Sequence, residues 1–334
     1  MKSAAGKLPA PPSAAFHIGG VAIPCRVVMA PLAGFTNGPF RQLASELGCR
    51  VFWTEMIPAE GLVRRRPEIM AMLPNASEAR PVAVQLFGSE PASMGEAAAI
   101  TADAGADWID INMACPVRRL TGIGAGAALM NSPSSAAALV DAVSRRAGIP
   151  VTIKIRAGWD EQRGGAMEIA LACRAAGAAA VTIHGRTRAQ GFRGRADHGT
   201  ANRLVPALGI PVIVSGDITG GATARSALTG TGAAAVMIGR GAIGDPWIFH
   251  RIEAYLEQGD EPRKPDDAER LRVMLRHLEL LEEEVGPGKA VSLFKPHLMA
   301  HLKGRSGAAN WRLRMAKERS IDAVRRGLAS CLQP

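Results

Sequence analysis

Across residues 27 to 241 short apolar runs rich in valine and isoleucine recur: RVVMAP, RVFWTE, PVAVQLFG, ADWIDINMACP, PVTIKIRAG, AAVTIHGR, PVIVSGD and AAVMIGRG. Most are nearly continuous in their apolar residues, the pattern of parallel strands covered on both faces, and alanine-rich stretches of helix length separate them. The alternation predicts repeated βα units. Eight of them match a closed (β/α)8 TIM barrel, for which about 250 residues is typical. A doubly wound open sheet is the alternative arrangement.

After residue 250 the period changes. In DDAERLRVMLRHLELLEEEVG, Leu271, Met274, Leu275, Leu278, Leu281 and Val285 fall on one helical face, with Asp266 or Asp267 placed to cap the helix and Gly286 to stop it. KAVSLFKPHLMAHLKGR and NWRLRMAKERS keep apolar stripes, but their remaining positions are basic. The reading is therefore a tail over residues 1–16, a barrel domain over 17–250 and a small α-helical bundle over 251–334.

Charge sharpens this division. The chain carries 40 Lys and Arg against 30 Asp and Glu, a net +10. Residues 286–334 hold ten basic and two acidic residues, so +8 of the balance sits there. A polyanion partner explains such a concentration, and so does a solvated helix face. On the first reading Lys295, Lys303, Arg305, Arg312 and Arg314 contact the phosphates of folded RNA, and Trp311 either stacks on a base or packs in the bundle.

Composition excludes other classes. Length (334 residues) and a 47% hydrophobic content suffice for one large globular domain and a smaller one. The five cysteines are far apart and show no CxxC spacing, which argues against a disulfide framework and a zinc site. MKSAAGKLPAPPSAAF lacks the apolar core of a signal peptide, and no run of about 18 apolar residues is present. These features predict a cytoplasmic monomer without membrane or metal.

The candidate chemistry lies where the strands stop. Glu55, Gln85, Asn112 with Cys115, Lys154 with Arg156, His184 with Arg186, Ser215 with Asp217, and Arg240 follow in order. A single strand ends in a polar residue simply by reaching water. Seven in succession predict a site at the barrel's C-terminal mouth. VSGDITGGATA and MIGRGAIGDP supply glycines in the loops that usually hold phosphate in this fold. Gly239 to Gly244 also fits GxGxxG, but Pro246 and a helical region follow instead of another βαβ unit, against a dinucleotide fingerprint. Lys154, among apolar neighbours, either reaches the surface or neutralises something buried. A flavin is one target, with Gln85 and His184 placed to bond its ring or ribityl chain; a Schiff-base lysine is the competing role.

The stretches MAPLAGFTNGPFR, VQLFGSEP, DINMACP, VTIKIRAGWD, VTIHGRTRAQGFRG, VSGDI and VMIGRGAIGDPWIF resemble the tRNA-dihydrouridine synthases, the bacterial B-type subfamily above all. The resemblance runs in order over about residues 25 to 250 and continues more loosely through the helical pattern and HLKGRSGA. It implies an FMN site at Pro31, Leu32, Ala33, Gln85, Lys154, Ser215, Gly216, Asp217, Gly239 and Arg240, with His184 against the flavin. Cys115 matches the family's catalytic cysteine and Asn112 an asparagine that contacts the uracil. Arg186 and Arg188 are candidates for binding the base or its phosphate.

The implied reaction takes electrons from NADPH (or NADH) to FMN, delivers hydride from flavin N5 to C6 of a D-loop uridine in tRNA, uridine 17 at first expectation, and a proton from Cys115 to C5. Such an acid must be protonated at rest, which an apolar setting favours. Gly122, Gly124 and Gly126 are read as letting the thiol's loop close over a flipped base. Two positions depart from the family pattern: Ala114 replaces a glycine, and Ser215 replaces an asparagine. The alternative classes are an FMN barrel acting on a free pyrimidine or other small molecule, and a flavin-bound RNA-binding or regulatory protein without turnover.

Overall fold

The computed structural model describes residues 15–304 and 307–332. Most of the expected tail, residues 1–14, and Arg305 lie outside them. The barrel strands are β3 Val27–Met29, β4 Phe52–Pro58, β5 Val82–Phe87, β6 Trp108–Asn112, β7 Val151–Arg156, β8 Ala180–His184, β9 Val212–Ser215 and β10 Ala235–Ile238. They form one parallel sheet in the order β3-β10-β9-β8-β7-β6-β5-β4. The ring closes where the Met29 N–H donates to the Val51 carbonyl at 3.1 Å. The closed barrel prevails over the open sheet because the first and last strands pair, with Val27 opposite Val236.

The helices that wrap the barrel are α1 Gly38–Glu46, α2 Ala59–Val63, α3 Pro67–Met70, α4 Pro91–Asp103, α5 Arg118–Thr121, α6 Pro133–Ala147, α7 Ala166–Ala175, α8 Gly199–Leu208, α9 Gly221–Thr231 and α10 Ile248–Gln258. The strands alternate between two faces, with one irregularity in β4 between Trp53 and Met56. Val82, Val84 and Leu86 of β5, or Val151, Ile153 and Ile155 of β7, face this helical layer and form the main core. Inward positions are apolar at the strands' N-terminal ends and polar further along. Trp53, Ala83, Trp108, Ala180, Ile213 and Ala235 fill the bottom. Gln85, Asp110, Thr152 and Lys154 follow above them, all buried.

An element the sequence patterns do not announce seals that bottom end. β1 Phe16–Ile18 and β2 Val21–Ile23 form an antiparallel hairpin, so its first strand takes in the last residue of the stretch read as a tail. Its Ile18 and Ile23 are fully buried against the bottom layer. The turn needs glycine: Gly19 has φ +55°, and a Cβ there would stand 2.8 Å from Pro150 Cγ.

The C-terminal helices are α11 Asp267–Val285, α12 Pro287–His301, α13 Ala308–Lys317 and α14 Ile321–Leu332. α11 starts where its capping signal lies: Asp266 accepts from the Glu269 N–H at 2.9 Å, and Glu269 accepts from the Asp266 N–H at 3.1 Å. It stops at Gly286. Met274, Leu278 and Leu281 pack with Phe294, Leu298 and Leu328 to give the bundle its own core. The division drawn at residue 250 falls within α10, which packs on α9 and β3.

Several contacts hold the bundle on the barrel, among them the Arg276–Glu46 ion pair between α11 and α1 at 2.9 Å. Gly244, φ +79°, lets the loop after β10 meet the backbone of α12; a Cβ would lie 2.6 Å from the Ala300 carbonyl carbon. Beside it His277, His297 and His301 are buried at the seam, His297 stacking obliquely on Phe40 with ring centres 4.7 Å apart and standing edge-on to Phe35 at 5.3 Å. Among the described residues neither ring nitrogen of His277 has a hydrogen-bond partner. Burial pushes the His297 imidazole down to about 4 and His301 to about 3, and holds His277 well below the usual range, so all three are neutral.

Candidate active site

The strand register that closes the barrel also gathers the polar strand ends. Asn112 pairs with Lys154, Arg156 with His184, and His184 with Ser215. These side chains converge on a cavity of about 800 Å³ at the C-terminal mouth, within the range of small-ligand sites. Pro31, Leu32, Ala33, Gln85, Asn112, Cys115, Lys154, His184, Ser215, Gly216, Asp217, Gly239 and Arg240 all line it. Lys303 lines it too, brought there by α12. The expected cofactor positions and one basic residue of the bundle therefore share one space.

Lys154 is a buried cation of the site, as is Arg156. Burial and the neighbouring Arg156 charge lower its ammonium from 10.5 to about 8, although Asp110 opposes the shift. His184 is pushed down to about 2 by burial and by the cations Lys154, Arg156, Arg186 and Arg240. It is thus neutral. Its Nδ1 takes the Arg186 N–H at 3.2 Å, which puts the imidazole proton on Nε2 as a donor.

The start of the thiol's loop is held by two side chains. Asn112 Oδ1 accepts the N–H groups of Ala114 (3.1 Å) and Cys115 (2.9 Å). Arg156 Nε donates to the Ala114 carbonyl at 2.6 Å, and its Nη1 donates to the carbonyls of Thr187 and Gly191. Ala114 is accommodated within this loop and is buried. The three glycines have unequal parts. Gly126, φ +60°, passes so close that a Cβ would lie 2.8 Å from the Cys115 carbonyl oxygen, Gly124 has φ +77°, and Gly122 has an ordinary negative φ. Gly126 packs against the thiol's own backbone.

Other candidates stand elsewhere. Arg186 does not line the cavity. Its Nη2 forks onto Asp217 (2.9 and 2.8 Å) and onto the Gly194 carbonyl, which spends it on tying loop 193–197 to β9. Asp217, at φ +54°, also accepts the Ala196 N–H. Burial pushes the Asp217 carboxyl up, but that N–H and Arg186 outweigh it and hold it below the usual range. Arg188 lies over the Trp159 ring, 4.5 Å from its centre, away from the cavity lining. In the bundle Lys295 donates to the Ala316 carbonyl, Arg312 to the Ala308 carbonyl, and Arg314 covers Trp311, which packs against the bundle core.

Two further lining residues, Arg156 and Phe192, carry chemistry to which no role was assigned. Arg156 appeared only as a strand end. Phe192, 55% exposed, sits at the rim with Arg240 over its face at 4.6 Å. A phenylalanine between glycine and arginine in GFRG, with no apolar period around it, was the available signal.

The sequence profile of the family described as "Dihydrouridine synthase (Dus)" matches residues 28–330, barrel and bundle together. A probable tRNA-dihydrouridine synthase of Rhodobacter capsulatus is 40% identical over 81% of this chain and 84% of its own length. The tRNA-dihydrouridine synthase B of Pseudomonas aeruginosa is 35% identical over 92% of both chains, and that of Xanthomonas axonopodis pv. citri 37% over the same shares. Among solved structures a 2-naphthoyl-CoA reductase complex superposes with a TM-score of 0.57 at 12% identity, over 72% of this chain and 51% of that one, a likeness of fold alone.

Proposed function

The chain belongs to the dihydrouridine synthase family, and on that premise we propose that it is a B-type tRNA-dihydrouridine synthase that uses FMN and NADPH to reduce the C5–C6 bond of a D-loop uridine, position 17 at first expectation. The observation that carries this reading is the single cavity shared by Cys115, Lys154, His184, the glycine loops after β9 and β10, and Lys303 of the bundle.

The residues present fit a flavin mononucleotide. The cavity is mainly apolar, as a ring system requires, and holds a buried cation in Lys154 and a neutral donor in His184. Gly239 and Arg240 offer backbone and charge to a phosphate. FMN, when bound, supplies the hydride.

The protein's own groups do the rest. Lys154 balances negative charge on the ring system. His184 donates from Nε2. Asn112, with its oxygen committed to the loop, fixes where the Cys115 thiol stands. Cys115 gives its proton to C5, and the nearby Lys154 and Arg156 charges stabilise the anion left on sulfur. Lys303 at the mouth meets the RNA backbone.

Two measurements test this. The purified protein should be yellow and release FMN on denaturation, and tRNA from a deletion strain should lose dihydrouridine by mass spectrometry. In Cys115→Ala, NADPH should bleach the flavin at the wild-type rate while dihydrouridine formation falls by roughly 10² or more, the scale of a lost general acid. A colourless protein that cannot be reconstituted, or a Cys115→Ala enzyme with normal turnover on tRNA, refutes the corresponding part. Turnover on free uracil or uridine in preference to tRNA would point to the small-molecule class instead.

A further inference from the structure

Below the cavity, one layer down the barrel, lies a carboxylate that is not itself part of the lining. Asp110 is fully buried in β6. Its Oδ1 accepts the Thr152 hydroxyl at 2.6 Å and its Oδ2 the Gln85 Nε2 at 2.7 Å. With its nitrogen turned to Asp110, Gln85 presents Oε1 to the Asn112 Nδ2, 2.8 Å away. Asn112 must then turn its own oxygen outward, where it takes the N–H groups of Ala114 and Cys115.

The direction of this chain is fixed at both ends. Backbone N–H groups only donate, and the Asp110 oxygens facing the chain only accept, so each amide between them has one workable orientation. Were Gln85 to flip, it would set an oxygen against Asp110 and an NH2 against the Asn112 NH2. Were Asn112 to flip, it would set an NH2 against two N–H donors. In so buried a place, such unmade bonds cost about 1–3 kcal/mol each.

We propose that Asp110 is a positioning residue: through Gln85 and Asn112 it sets the orientation of the amides at the cavity floor and holds the Cys115 loop in register with them. Asp110 reaches neither cofactor nor base. It acts by deciding which atom of Gln85 and which of Asn112 faces the cavity, and by keeping two backbone donors of the thiol's loop paired. Burial pushes the Asp110 carboxyl up, while Thr152, Gln85 and Lys154 pull the other way. The chain needs an acceptor at Oδ2, so any proton on the carboxyl sits on Oδ1, where the Thr152 hydroxyl can accept it.

The chain-direction argument separates two substitutions of similar size. In Asp110→Asn the amide oxygen still accepts from Gln85, and the Thr152 hydroxyl is free to accept from the new NH2, so the chain keeps its sense. In Asp110→Leu the acceptor is gone and Gln85 loses its anchor. The readout is the rate at which iodoacetamide modifies Cys115 in the enzyme as purified, followed on the Cys115 peptide by mass spectrometry beside tRNA turnover and thermal unfolding.

Asp110→Leu should modify at least about threefold faster, as a loosened loop exposes its thiol, and lose roughly 10² in turnover. Asp110→Asn should stay within about threefold of wild type in both. A folded Asp110→Leu protein with wild-type modification and turnover overturns the proposal. So does an Asp110→Asn protein as reactive as Asp110→Leu, because the charge and not the chain would then be the cause. If Asp110→Leu does not fold, Gln85→Leu serves: it can neither donate to Asp110 nor accept from Asn112, so unchanged modification there overturns the proposal as well. The turnover arm rests on the function proposed above. The modification arm does not, so wild-type protein without synthase activity would sink that reading and leave this one standing or falling by its own result.

Discussion

Lys154 carries a conditional charge. Its pKa near 8 against 10.5 in an exposed lysine means that the protein without ligand keeps the ammonium only below about pH 8. Bound FMN held by that charge must pull the proton back on above this value, so FMN affinity should be flat between about pH 7 and 8, above the titration of its phosphate at about 6, and weaken as pH rises further. Titration of the apoprotein with FMN by fluorescence quenching checks this. Lys154→Met should bind more weakly at pH 7, show no break near pH 8, and have a lower midpoint potential, since the missing cation favoured the more negative, reduced state. A potential that stays or rises would contradict the assignment. At this scale much of the site was legible, because an isolated lysine in VTIKIRAG or an asparagine three residues before a cysteine stands out from its surroundings. The pairing of Arg186 was hidden for a physical reason. Its partner Asp217 arrives from another strand end, and a guanidinium's use depends on which carboxylate the fold delivers to it. Asp110 was hidden in DINMACP for the same reason, its partners lying on β5 and β7.

The elements show how a motif acquires a different use from its first reading. The GxGxxG stretch has a phosphate role to offer at Gly239, but Gly244 serves the approach of α12. Gly244→Ala puts a methyl group into the Ala300 backbone at an already left-handed φ, a cost of about 1–3 kcal/mol. The melting temperature should drop by several degrees and the KM for tRNA should rise, with NADPH oxidation unchanged. Unaltered tRNA kinetics in a folded variant would show that the docking of α12 is immaterial to the substrate. The seam beside it should be acid-sensitive. The His277, His297 and His301 values lie below the exposed value of 6.5, so the folded state binds fewer protons than the unfolded one. Stability is then complete above pH 6.5 and falls as pH drops toward 4, by about 1.4 kcal/mol per pH unit for each imidazole. Thermal unfolding between pH 7.5 and 5 measures it, and His297→Leu should flatten the profile. A melting temperature independent of pH over this range would contradict the prediction. The βα alternation and the α11 caps were plain in the sequence because each spans several turns or strands. The hairpin β1–β2 was not, since three-residue strands carry no period to read.

For the molecule as a whole the question is where its charge works. The +8 of residues 286–334 is now divided. Lys303 opens onto the cavity, while Lys295 and Arg312 also serve internal carbonyls. Replacing Lys295, Lys303, Arg305, Arg312 and Arg314 with Ala should weaken tRNA binding and lower its salt dependence by roughly one unit per lost phosphate contact. FMN content should not change, and Lys303→Ala alone should account for the largest single loss. Identical affinity and salt dependence in the multiple variant would reassign the basic face to solvent. The pairing of Val27 with Val236 also gives the molecule a timetable. On a ribosome adding about 5–20 residues per second, the first barrel strand waits roughly ten to forty seconds for its neighbour on the β10 side. Through that interval the nascent chain carries an apolar ribbon with nothing to stopper and a sheet with two open edges, so its yield in a cell should depend on chaperone capacity and on the speed of translation well before any question of catalysis arises.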